Sequence, residues 1–115
     1  MPKIYLLPSC KTCQRILATL QQVGEWEVHD IKSDPITKTQ LEAFAKTAGS
    51  YEALFSRRAV LYRERGLKDQ TLAEDDYKRL ILEHYTFLKR PIMEVGNQLF
   101  VGNSKKAVEG AVRAV

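Results

Sequence analysis

The stretch KIYLLPSC at residues 3–10, with the periodic segment behind it, constrains the fold more than any other part of the chain. Ile4, Tyr5, Leu6 and Leu7 form a compact apolar run that Pro8 ends, which reads as a short buried strand over Lys3–Leu7. Ser9 suits an N-cap, and a helix is expected from about Lys11 to Val23. There Ile16, Leu17, Leu20 and Val23 recur at helical spacing, and Gly24 stops it. Trp26–Ile31 alternates, with Trp26, Val28 and Asp30 on one face, and reads as a second strand. Strand, helix and strand in so short a stretch imply parallel strands joined by a right-handed crossover, hence an α/β fold.

The middle of the chain is helical and more polar. Asp34-Pro35 reads as the opening of a helix whose stripe is Leu41, Phe44 and Ala45 and which closes at Gly49. A further segment carries Tyr51, Leu54 and Phe55, then Val60, Leu61 and Tyr62, closing near Gly66. The clearest helix spans about Leu72 to Leu88, with Tyr77, Leu80, Ile81, His84, Tyr85 and Leu88 along one side, until Lys89-Arg90-Pro91 breaks it. Ile92–Val95 and Leu99–Val101 flank Gly96-Asn97 as a β-hairpin, and Ser104 suits the cap of a last helix carrying Val108, Ala111 and Val112. The order is β-α-β, an all-helical insert, β-β, then α. At 115 residues this is one domain's worth.

Charge narrows the partners. The net charge is +4, with 18 basic and 14 acidic residues interspersed rather than blocked, so direct DNA binding is not expected. No apolar run spans a bilayer, and MPKIYLLPSC is too short and wrongly flanked for a signal peptide. No membrane association and a cytoplasmic location are therefore expected, where thiols are kept reduced.

Cys10 and Cys13 are the two cysteines. A loop closed by residues three apart staples little, so in a reducing compartment the pair is redox-active or metal-binding before it is structural. Cys10 falls between a strand and a helix, where unpaired backbone N–H groups and the helix dipole favour an anion such as a thiolate. Lys11 and Arg15 add positive charge nearby. Cys13 stands one turn further on, within disulfide reach. Cys10 is then the attacking thiolate and Cys13 the less exposed resolving thiol. Two other readings stand beside this one. A zinc site needs about four ligands, and the pair supplies two, with His29 and His84 the only histidines and His29 remote from the loop. Alternatively, the cysteines are inert small hydrophobes. No metal and no bound cofactor are expected.

YLLPSCKTCQRIL at residues 5–17 resembles the active-site segment of the ArsC-like family, which joins glutaredoxin-related arsenate reductases and the Spx/MgsR regulators. LFSRRAVLYRERGL at residues 54–67 is similar to that family's middle segment, with Ala59 where glycine is frequent. LKRPIMEVGNQLFVG at residues 88–102 is similar to its Arg-Pro-Ile hairpin. The resemblance covers nearly the whole chain. It implies a thioredoxin-like (glutaredoxin-like) fold: a mixed four-stranded sheet with a helical insertion, in a single domain over 1–115. The core would occupy about 1–33 and 88–115 and the insert about 34–87. It also implies a cis Pro91, with Arg90 and Arg58 as the cations around Cys10 and Arg57 as the alternative to Arg58. Guanidinium groups suit that task because they stay charged and donate in a planar fork.

This chain departs from the arsenate reductases in the second strand of the hairpin. Those enzymes carry a third oxyanion-binding arginine there, whereas residues 99–103 read LFVGN, and Lys105 and Lys106 look like the opening of the last helix. Cys13 is a second departure, because the reductases commonly work without a cysteine at that position. The resemblance therefore implies one of two functions. The first is a thiol–disulfide oxidoreductase of arsenate-reductase type that uses Cys10, Cys13, Arg58, Arg90 and Pro91. Its reductant would be glutathione or a thioredoxin/glutaredoxin-type protein. The second is an Spx-like redox-sensing regulator that uses the surface near Gly49-Ser50 to bind the C-terminal domain of the α-subunit of RNA polymerase. A monomer is expected in either case. His84 reads as a satisfied packing residue, Trp26 as a core or edge residue, and Glu74-Asp75-Asp76 as acids near a helix N-terminus.

Overall fold

Four short strands, β1 (Lys3–Leu6), β2 (Glu27–Asp30), β3 (Ile92–Val95) and β4 (Gln98–Val101), form one mixed sheet in the order β2-β1-β3-β4. The computed structural model describes all 115 residues. β1 and β2 run parallel with Ile4 opposite Val28 and Leu6 opposite Asp30, joined through helix α1 (Lys11–Gln21). β3 lies antiparallel to β1 with Tyr5 opposite Ile92, and β4 antiparallel to β3 with Ile92 opposite Val101. Helix α5 (Lys105–Ala114) follows β4. This is the thioredoxin-like arrangement.

Alternation along the strands decides where the core lies. Ile4, Leu6 and Met93 point to one face and pack with Cys13, Ile16 and Leu20 of α1, Trp26, and Ala111 of α5. Helix and sheet approach closely there. A Cβ added at Gly110 would sit 2.7 Å from the Phe100 ring, so only glycine lets α5 lie this near β4. The two-residue hairpin loop uses Gly96 at φ 60°, a left-handed conformation that suits the first central position of a tight hairpin turn. Ser104 caps α5, its Oγ accepting from the Ala107 amide at 3.1 Å.

The chain divides into two compact units, Met1–Asp34 with Arg90–Val115, and Pro35–Lys89. The second unit holds α2 (Lys38–Ala48), α3 (Val60–Glu64) and α4 (Glu74–Glu83), with single 3-10 turns at Glu52–Leu54, Leu67–Asp69 and Tyr85–Phe87. Its centre is aromatic: the fully buried Phe55 stacks on Phe87 at 5.4 Å and meets Tyr77 at 4.9 Å and Tyr62 at 5.9 Å.

Several expected boundaries shift. β1 ends at Leu6, one residue early, and α1 at Gln21, two residues early. α2 begins at Lys38 rather than at Asp34-Pro35, because Thr37 and Gln40 form a reciprocal capping box: Thr37 Oγ1 accepts from the Gln40 amide and Gln40 Oε1 from the Thr37 amide. The long helix expected over Leu72–Leu88 covers only Glu74–Glu83. His84 turns extended, and its Nδ1 accepts from the Thr86 amide at 3.1 Å, an alternative to continued helix. The break lets Phe87 reach Phe55. The alternation read in the second strand also fails at Val28, which is 44% exposed on an edge strand.

Candidate active site

Cys10 occupies the N-cap of α1 with extended backbone, φ −85° and ψ 114°. Its amide donates to the Leu7 carbonyl at 2.9 Å, and its carbonyl accepts from the Gln14 amide at 3.1 Å. The Gln14 side-chain amide donates to the Pro8 carbonyl, so the loop before the helix is tied to the helix it opens. The helical spacing then separates the two sulfurs by environment: Cys10 is half-buried, whereas Cys13 is fully buried among the core residues under the sheet.

That difference sets opposite acidities. Partial burial pushes the Cys10 thiol up. The Cys13 amide and thiol, the Thr12 amide and the positive charge of Arg90 outweigh it, and the net shift is down from the ordinary thiol range. For Cys13, burial dominates and pushes the thiol up to about 11. The Cys10 sulfur adds to this by accepting its hydrogen and by its negative charge, against a backbone bond from Leu7 and the charge of Arg90. One sulfur gives up its proton more readily than an ordinary thiol, and its neighbour keeps its proton at neutral pH. Arg90 is the cation that acts on both.

Arg90 comes just before β3, and the Arg90–Pro91 bond is cis. Pro91 is fully buried, and its carbonyl accepts from the Gly102 amide at 2.9 Å, binding the start of β3 to the end of β4. Because Tyr5 lies opposite Ile92, this corner stands at the same end of the sheet as the loop carrying Cys10. β4 spans Gln98–Val101 and has no arginine, and Lys105-Lys106 open α5.

Arg58 belongs to the helical unit, where it is exposed and makes no ion pair. Its neighbour Arg57 is engaged within that unit, with Nη2 2.6 Å from a Glu52 carboxylate oxygen and 3.1 Å from the Tyr77 hydroxyl. Of the two histidines only His29 shares a unit with the cysteines, and it does not approach them. His29 contacts the Glu27 carboxylate and packs edge-on against Tyr5 at 4.8 Å, on the sheet face opposite Ile4 and Cys13. His84 stacks on Tyr85 at 4.5 Å. Glu74 accepts from the Tyr51 and Glu52 amides, and Asp76 from the Ala73 amide, so these two acids serve the turn at Glu52–Leu54 and the start of α4. The site's remaining donors are backbone groups of Leu7, Thr12 and Cys13, whose part no side-chain motif discloses.

The family model described as the ArsC family matches residues 5–111. The chain belongs to the ArsC family. The chain is similar to the YusI protein of Bacillus subtilis, 29% identical over 85% of this chain and 86% of that protein's length. The global transcriptional regulator Spx 1 of Lactococcus lactis is 28% identical over 89% of this chain and 81% of its own. Among solved structures, an arsenate reductase from Vibrio cholerae superposes with a TM-score of 0.81 at 22% identity, covering 99% of this chain and 97% of that one. At that identity the likeness shows the fold alone. No helix of this ArsC-family chain is long and apolar enough to cross a membrane.

Proposed function

We propose that the chain is a thiol–disulfide oxidoreductase in which Cys10 attacks and Cys13 resolves. The observation that carries the reading is the placement of the two thiols, Cys10 half-buried at the N-cap of α1 and Cys13 one turn on and fully buried, which lowers the pKa of the first and raises that of the second. The Cys10 thiolate attacks one sulfur of a substrate disulfide, forming a mixed disulfide and releasing the other sulfur as a thiolate. Arg90 stabilises the negative charge on attacking and leaving groups.

Once Cys10 is in the mixed disulfide its negative charge is gone. The two contributions from Cys10 that raise Cys13 vanish with it, and Cys13 loses its proton more readily. The Cys13 thiolate then displaces the substrate sulfur from Cys10 and closes the Cys10–Cys13 disulfide. The substrate has gained two electrons. Two glutathione thiols, or the dithiol of a thioredoxin/glutaredoxin-type protein, return them.

The reading is tested by turnover of a model disulfide, and of arsenate, with glutathione or thioredoxin as donor. Wild type is expected to turn over the disulfide and Cys10→Ser to lose that activity. Equal turnover by the two proteins would refute it.

A second reading has its own support in the relatives named as global transcriptional regulators. β4 also lacks an arginine to hold an oxyanion. On this reading the same pair is a switch, and the surface near Gly49-Ser50 binds the C-terminal domain of the α-subunit of RNA polymerase. Capture of that domain by the reduced and oxidised forms to different extents, without disulfide turnover, would favour it.

A further inference from the structure

Cys13 must lose a proton before it can close the disulfide, and its surroundings hold no base to take it. The side chain is fully buried among Ile4, Leu6, Ile16, Leu20, Met93 and Ala111. The Leu7 amide donates to its sulfur, and its thiol hydrogen goes to the Cys10 sulfur. In the reduced protein Cys10 is thus the acceptor for that hydrogen.

The other charged groups of the unit are engaged elsewhere. Glu27, His29 and Glu94 lie on the opposite face of the sheet, where His29 contacts the Glu27 carboxylate and Glu94 hydrogen-bonds Tyr5. Asp30 accepts from the Lys32 and Ser33 amides at 2.9 and 3.3 Å. Glu109 lies 3.9 Å from Lys105 on the exposed side of α5, and Glu25 and Asp34 are exposed in the loops flanking β2. Arg90 acts on the Cys13 sulfur, but a guanidinium neither accepts a hydrogen bond nor loses a proton. Lys11, Arg15, Lys105 and Lys106 are exposed. No Asp, Glu, His, Lys or Arg side chain of the chain is buried.

The first half of the reaction uses up the one acceptor in place. When Cys10 attacks the substrate disulfide, its reacting electron pair enters the new S–S bond. Cys13 is then left holding its proton in an apolar site, where forming a bare thiolate is costly. The partner's sulfur is badly placed to help. Displacement at a disulfide runs in line, so Cys13 approaches Cys10 from the core side and the partner's sulfur departs on the far side. Two S–S lengths, about 4 Å in all, separate the attacking and leaving sulfurs.

We infer that Cys13 paces the release of the partner: the mixed disulfide on Cys10 stands until solvent hydroxide removes the Cys13 proton, so the chain holds its partner covalently for a time set by pH, an inference that rests on the thiol–disulfide reading above. The step balances. Hydroxide takes the proton and becomes water, and the Cys13 sulfur bonds to the Cys10 sulfur. The bond from Cys10 to the partner breaks, and the partner leaves as a thiolate with the electron pair. A base of carboxylate or imidazole type beside Cys13 would be largely unprotonated by pH 7 and would make release nearly indifferent to pH above that point. Hydroxide instead changes tenfold with every pH unit.

The test mixes the reduced full chain with one equivalent of the thiopyridyl disulfide of glutathione. Attack by Cys10 is read from release of pyridine-2-thione, and its aftermath from acid quenching at intervals and intact-protein mass spectrometry. Decay of the glutathione adduct into the disulfide form should quicken about a hundredfold between pH 6 and pH 8. Cys13→Ser should keep its adduct at both. A rise of less than about tenfold would overturn this inference and leave the thiol–disulfide reading standing. Failure of the adduct to build up in wild type at pH 6, where Cys13→Ser retains it, would do the same. No thione release and no adduct in either protein would overturn both.

Discussion

Cys13 should resist alkylation because of its ionisation, and this can be separated from simple inaccessibility. With its thiol pushed up to about 11, roughly 0.1% of Cys13 is thiolate at pH 8, whereas an unperturbed cysteine of pKa about 8.5 is roughly a quarter ionised. Iodoacetamide reacts with the thiolate, so ionisation alone should slow Cys13 about two-hundredfold relative to a cysteine in an unstructured peptide. The decisive perturbation is Cys10→Ser. It removes the anionic acceptor and the negative charge that both raise Cys13 and leaves burial in place. Cys13 should then react faster than in wild type, yet still more than about tenfold slower than the reference peptide. The assay is limited alkylation from pH 7 to 10.5, followed by peptide mass spectrometry at each cysteine. The Cys13 rate should keep rising about one decade per pH unit up to pH 10. A plateau near pH 9 would mean that the block is purely steric. An unchanged Cys13 rate in Cys10→Ser would refute the electrostatic coupling of the two sulfurs.

Other consequences follow from the same contacts. Cys13, at about 11, and the buried Tyr5, at about 12, both ionise at higher pH in the folded chain than in the unfolded one. The stability they contribute is complete below about pH 9 and is lost as pH rises through 11 to 12, with Cys13 accounting for roughly 2–3 kcal/mol. Urea midpoints at pH 8 and 11 should therefore differ less in Cys13→Ala than in wild type. Arg90→Met should raise the Cys10 pKa toward the ordinary thiol range, seen as later appearance of thiolate absorbance near ~240 nm, and Arg90→Lys should restore part of the shift. Gly110→Ala gains about 1 kcal/mol of helix propensity, but its Cβ would lie 2.7 Å from Phe100. A net loss of about 1–2 kcal/mol is expected from crowding, recovered on adding Phe100→Leu and read by thermal unfolding.

The β-α-β start and the hairpin were legible because each rests on local chemistry: an apolar run ended by Pro8, a helical stripe, and a glycine at a tight turn. Cys10 at a helix start followed from the same pattern, and its lowered pKa from helix-start geometry. The boundaries inside 35–89 were not legible, because tertiary packing of Phe55 on Phe87 overrides a periodicity that continues past Glu83. The Thr37–Gln40 capping box was available as a motif, but Asp34-Pro35 gave the more conspicuous start signal. Lys11 and Arg15 were natural choices as cations for Cys10. Both project from the exposed side of α1, whereas Arg90, which the family resemblance rather than local patterning suggested, acts on the sulfur through the meeting of β1 and β3.

The division of labour between Cys10 and Cys13 is open to direct trapping. Reduced wild type, Cys13→Ser and Cys10→Ser are each exposed to glutathione disulfide, quenched in acid and mapped by mass spectrometry. Wild type should carry an intramolecular Cys10–Cys13 disulfide and no glutathione. Cys13→Ser should hold one glutathione on Cys10, and Cys10→Ser should remain unmodified over the same interval. Glutathione retained on Cys13, or wild type that keeps a glutathione on Cys10 without closing the disulfide, would contradict the account.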